Sequence, residues 1–109
     1  MVERRTKVSA RHRHGENVSL RQLEYFVATA SHRTITAAAR KLGVSQSTLS
    51  QQLSELERIV GARLLVRHSG GVTLTEAGRV LAGRAQRVLT EVGHAVLATR
   101  AAAHRDPRS

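Results

Sequence analysis

The chain has 109 residues, room for one small domain with arms. Its 18 Lys and Arg against 8 Asp and Glu give a net charge of +10, which points to a polyanionic partner, nucleic acid before an anionic membrane surface. The absence of cysteine excludes disulfides, thiolate zinc sites and thiol catalysis, and two aromatics, Tyr25 and Phe26, are too few for a protein that stacks single-stranded bases.

Residues 1–17 hold five cations and two acids with almost no apolar periodicity, and read as a disordered basic arm. No apolar core follows the charged first residues, so a cytoplasmic location is expected. No apolar run is long enough to span a bilayer. Ser19 can cap a first helix, in which Leu20, Leu23, Val27 and Ala30 recur at three to four residues with Phe26 flanking them. After a break at Ser31 to Thr34, Thr36 offers an N-cap for a second helix through Leu42, with Ile35 as a hydrophobic staple. Ala38, Ala39 and Leu42 are its expected inner face. Gly43 fits a left-handed C-cap. Ser45 caps a third helix with Leu49, Leu53, Leu56 and Val60 inward, and Gly61 ends it. Leu64 to Arg67 and Val72 to Leu74 flank His68-Ser69-Gly70-Gly71, a hairpin pattern. Thr75 caps a fourth helix through His104, with Glu76 favourable near its positive end. Leu81, Ala85, Val88, Val92 and Ala95 follow at 4-3-4-3 spacing, flanked by Leu89 and Val96. That helix is about 45 Å long and outruns the core beside it, so its stripe is expected to meet another chain rather than fold back. A core this small also gains from a second chain.

The informative stretch is Ile35 to Ser54. A short helix with small Ala39 near its middle leads through Leu42-Gly43-Val44 into a helix with Leu49 and Leu53 inward, the pattern of a helix-turn-helix. The outward face of the third helix is then Gln46, Ser47, Ser50, Gln51 and Ser54, short or amide side chains with no acid among them. Such groups hydrogen-bond base edges or phosphates without repelling DNA. The plain alternative is a solvated polar face on a helical hairpin.

These residues also carry a resemblance. Leu20-Arg21-Gln22-Leu23-Glu24-Tyr25-Phe26, Ala38-Ala39, Leu42, Ser45-Gln46-Ser47, Leu49-Ser50, Leu56-Glu57, Gly61, Leu64-Leu65, Arg67 and Leu74-Thr75-Glu76-Ala77-Gly78 resemble LysR-type transcriptional regulators in order and spacing. The resemblance implies a mainly α fold: a winged helix-turn-helix of three helices and a short β-hairpin wing, followed by a long linker helix that pairs two protomers. It divides the chain into an arm (1–17), a DNA-binding domain (18–75) with its helix-turn-helix at 35–54 and wing at 64–74, a linker and dimerisation helix (76–104), and a tail (105–109). Gln46, Ser47, Ser50 and Gln51 would face bases and adjacent phosphates. Thr36 and Arg67 would lie at phosphates, where the alternatives are a helix cap and a strand-end cation; His68, from its place in the hairpin rather than from the resemblance, is a further phosphate candidate, with a turn residue as the alternative. Leu81, Ala85, Val88, Leu89, Val92 and Val96 would form the dimer seam. The expected partners are double-stranded DNA and a second copy of the chain, with a full-length family member as an alternative.

This sequence departs from the family in three ways. Ser47 stands where proline is frequent, and Gln51 where arginine is common, which removes a charge and a guanine reader. Gly70 and Gly71 occupy wing positions that are often basic. The ligand-sensing domain that family members carry after the linker helix is not evident in the sequence, so no small-molecule effector site is expected. No cofactor, metal or catalytic constellation is expected either. His12-x-His14 lacks partner ligands, His32, His94 and His104 are dispersed, and Gly78 and Gly83 make no phosphate loop. Glu24, Glu55 and Glu57 read as helix-surface acids. Two rivals to sequence-specific DNA binding remain: an interaction protein that pairs with a full-length relative, and nonspecific coating of nucleic acid, for which the arm cations Arg4, Arg5, Lys7, Arg11 and Arg13 would suffice.

Overall fold

The computed structural model describes residues 17–108; the basic arm, with His12 and His14, lies outside the described residues except for Asn17. In chain order the elements are α1 (Leu20–His32), α2 (Ile35–Leu42), α3 (Gln46–Val60), β1 (Leu65–His68), β2 (Gly71–Leu74) and α4 (Glu76–Arg105). The fold is a winged helix-turn-helix continued by a long helix.

Local side-chain chemistry sets most of the boundaries. Ser19 and Gln22 close a capping box at α1: the Ser19 hydroxyl accepts from the Gln22 amide, and the Gln22 side chain accepts from the Ser19 amide, both at 3.0 Å. Ser45 and Thr75 accept from Thr48 and Gly78 amides at the starts of α3 and α4. Gly43 and Gly61 end α2 and α3 at φ 74° and 81°, where a Cβ would be strained.

Four expectations are corrected. The second helix is capped by Thr34, whose hydroxyl accepts from the Ala37 amide at 3.0 Å, so Ile35 and Thr36 lie inside the first turn. Arg33, in the left-handed region at φ 69°, turns the chain there and delivers Thr34 in the extended conformation that a cap needs. The buried face of α1 is Gln22, Tyr25, Phe26 and Thr29, while Leu20 is 46% exposed. Both polar members are satisfied: Thr29 Oγ1 donates to the Tyr25 carbonyl at 2.8 Å, and Gln22 Nε2 donates to Gln52 Oε1 at 3.3 Å. Val60 is 43% exposed, because the last turn of α3 extends past the core. Glu57 is a tie rather than a surface acid, for its Oε2 accepts from the Leu64 and Leu65 amides at 2.7 and 3.1 Å.

The core is Phe26, Ala38, Ala39, Leu49, Leu53, Leu56, Leu64, Leu65 and Val72, with Tyr25 at its rim. Small Ala38 and Ala39 let α2 approach its neighbours closely, and Leu49, Leu53 and Leu56 present one face of α3 to them. Among the described residues, every buried side-chain nitrogen and oxygen has a hydrogen-bond partner. The two strands pair antiparallel, with Leu65 opposite Leu74 and His68 opposite Gly71.

The hairpin is fastened to the helices by backbone. The Val72 amide donates to the Arg33 carbonyl at 2.8 Å. Gly71, at φ 130°, passes so close that a Cβ would lie 2.2 Å from that oxygen. On the other side, the Thr75 amide and hydroxyl donate to the Leu64 and Arg63 carbonyls at 3.0 and 2.7 Å. Gly78 fits beneath the Leu64 carbonyl, where a Cβ would lie at 2.1 Å. The wing and the start of α4 are therefore fixed relative to α3.

Candidate nucleic-acid interface

The turn between α2 and α3 is tight. The Val44 amide donates to the Ala39 carbonyl at 3.0 Å and the Gly43 amide to the Arg40 carbonyl at 3.2 Å, which consumes carbonyls at the end of α2. With Leu49, Leu53 and Leu56 inward, α3 turns Gln46, Ser47, Gln51 and Ser54 to solvent, and Ser50 is half-buried. The face is free of carboxylates, as a surface that approaches phosphates requires. Ser47 Oγ lies 3.2 Å from the capping Ser45 hydroxyl, which also donates to Thr48 Oγ1 at 2.9 Å. Ser47 is thus shared between the cap and the outer face.

Thr36, Arg67 and His68 come together along one groove of about 330 Å³, between the first turn of α2 and the wing. Thr36 is exposed in that turn, and Arg67 and His68 project from the end of β1. His68 Nδ1 accepts from the Gly70 amide at 3.1 Å, so in the neutral ring the proton is on Nε2, a donor. Helix amides, a guanidinium and an imidazole donor around one groove make a surface that suits a phosphate oxygen.

A second groove, of about 460 Å³, separates the outer face of α3 from β1, with Ser50, Ser54, Glu57, Arg63 and Arg67 on its walls. Arg67 Nη2 donates across it to Ser50 Oγ at 3.1 Å. The groove's carboxylate is occupied: Glu57 serves the two backbone amides and lies 3.6 Å from Arg63 Nε. The Ser50–Arg67 bond and the role of Glu57 are not legible in the sequence, since each joins α3 to residues brought back against it only by the turn that follows Val60.

The long helix divides the six seam candidates. Ala85 is buried and Leu81 half-buried against the domain's own core, whereas Leu89 is half-buried and Val88, Val92 and Val96 are exposed. Among the described residues, no cluster of His, Asp and Glu could hold a metal ion, and no helix is long and apolar enough to cross a membrane.

Residues 20–79 match the family model described as "Bacterial regulatory helix-turn-helix protein, lysR family". The chain is 47% identical over 83 residues to the probable cat1 operon transcriptional activator of Acinetobacter lwoffii, covering 76% of this chain and 27% of that protein. It is 46% identical over 80 residues to the transcriptional regulator PtxR of Pseudomonas aeruginosa, covering 73% of this chain and 26% of the relative. It therefore spans about a quarter of the length of these curated relatives. Among solved structures it resembles the CbnR DNA-binding domain in complex with DNA, with a TM-score of 0.75 and 40% identity over 78% of this chain and 98% of that one. The BenM DNA-binding domain on catB site 1 DNA gives a TM-score of 0.76 and 38% identity, over 78% of this chain and 94% of that one. With the matched region spanning all three helices, the wing and the start of the long helix, the chain belongs to the LysR family of bacterial regulatory helix-turn-helix proteins.

Proposed function

We propose that the chain binds double-stranded DNA in a sequence-dependent way as a transcriptional regulator, that it acts as a dimer, and that its role is recognition rather than catalysis. The observation that carries this reading is the carboxylate-free outer face of α3, flanked on one side by the groove that gathers Thr36, Arg67 and His68. Gln46, Ser47, Ser50 and Gln51 read base edges in the major groove, and the three flanking residues hold the phosphates beside it. The exposed Val88, Val92 and Val96 stripe carries the dimer contact, and a second copy suits it because a two-fold pair presents two α3 helices to an interrupted dyad. The cytoplasm is where such a regulator meets its DNA.

Fluorescence anisotropy on the full chain tests this. Duplexes enriched from a randomised library should contain a dyad. Affinity should fall with salt at a log–log slope of about −0.9 per phosphate neutralised. Gln46→Ala with Gln51→Ala should flatten sequence preference while leaving that slope nearly unchanged. Equal affinity for enriched and shuffled duplexes would leave only charge-driven coating.

A further inference from the structure

The Ser50–Arg67 bond changes what Ser50 can recognise. A serine hydroxyl alone is ambivalent: it donates one proton and accepts through two lone pairs, so it serves donors and acceptors on DNA alike. In this fold the Arg67 guanidinium donates to Ser50 Oγ at 3.1 Å from across the groove. A fixed positive charge on one side of an oxygen turns the O–H away from it. Glu57, the acid on the same groove, is committed to the Leu64 and Leu65 amides, so Arg67 is directed at the serine. Ser50 is also the half-buried member of an otherwise exposed outer face, which limits the directions open to its hydroxyl.

Resting on the DNA-reading function above, we propose that Ser50 and Arg67 form one composite donor that selects a hydrogen-bond acceptor on DNA. Ser50 positions the wing arginine, and Arg67 commits Ser50 to donating. An exposed amino group of cytosine or adenine placed there meets two donors and is rejected. A phosphate oxygen, guanine N7 or O6, or thymine O4 meets two donors and is held. The bond also joins α3 to the wing, so base reading and backbone grip at this point are one event.

The test is a double-mutant cycle on the full chain, using the duplex that the wild type enriches from a randomised library. Ser50→Ala and Arg67→Ala should each weaken binding about tenfold, and the double variant should lose little more than either single one. Ser50→Thr, which keeps the hydroxyl, should restore most of the affinity. Thermal melts followed by circular dichroism check that each variant is folded. Methylphosphonates placed one at a time, and base analogues lacking the N7 or O4 acceptor, locate the partner on backbone or base. At one position the modification should cost the wild type affinity but cost Ser50→Ala almost nothing. Losses that multiply to about a hundredfold, or the absence of any such position, overturn the pair while leaving DNA reading intact. A wild type that enriches no sequence overturns both.

Discussion

The two halves of α4 differ in who determines their sequence. Its first three turns are gripped by their own domain: Thr75 is bonded to Arg63 and Leu64, Gly78 fits beneath a carbonyl, and Ala85 is 1% exposed. From Glu91 to Arg105 every residue is exposed, Val92, Val96 and Leu97 included. An isolated helix of this length is only marginally stable in water, and its apolar residues contribute nothing until they are covered. The same periodicity thus serves an internal core at one end and leaves an uncovered apolar stripe at the other. An apolar stripe in sequence gives its spacing; only the fold shows where the domain stops using it.

The largest effect should come from the gripped half. Gly78→Ala places a methyl against the Leu64 carbonyl, so backbone must move, and we expect a loss of about 3 kcal/mol in urea unfolding. The matching change in the free half, Gly93→Ala, has nothing within 4 Å to strike and should be neutral or stabilising by up to about 1 kcal/mol. Equal effects at the two glycines would mean that the halves do not differ.

Next in size, Val88→Ser combined with Val92→Ser should turn the proposed dimer into a monomer in light scattering at micromolar concentration. The unfolding midpoint of the winged unit should then lose its dependence on protein concentration. If the variant remains dimeric, the contact lies elsewhere on the chain.

The smallest effect concerns Glu55 on the exposed side of α3. The Arg58 guanidinium hydrogen-bonds its carboxylate and holds its pKa below the ordinary value. A depressed folded pKa adds stability above the unfolded carboxylate value and loses it as pH falls through the folded one. Glu55→Gln should therefore lower the melting temperature slightly at pH 7 and not at all in strong acid. Solvent screening keeps the difference small.

What was legible in the sequence is what short-range chemistry decides. Ser19, Ser45, Thr75, Gly43 and Gly61 act on groups within a few residues, so their spacing alone identifies them. Thr34 and Thr36 are both competent caps, and the choice between them fell to Arg33, whose left-handed backbone has no marker in an arginine side chain. The α1 face differs from the apolar periodicity because periodicity counts only apolar residues, whereas Gln22 and Thr29 are buried through hydrogen bonds. The outer side of α3 is legible because Leu49 and Leu53 fix the orientation of the helix, which leaves Gln46, Ser47 and Gln51 exposed and Ser50 half-buried. The Glu57 tie and the Ser50–Arg67 bond span 7 to 17 residues, from α3 to the segment that enters and forms β1, and no local pattern encodes them.

The fastening of the wing at Arg33 has a further consequence. The group that holds Val72 is a main-chain carbonyl, and every amino acid supplies one. Side chains on the interface can therefore be exchanged over evolutionary time without unhooking the wing, provided that position 71 remains glycine. The frame asks of position 33 only a residue that accepts a left-handed backbone, and it excludes any side chain at position 71. The outer surface can in this way vary on an unchanged mount.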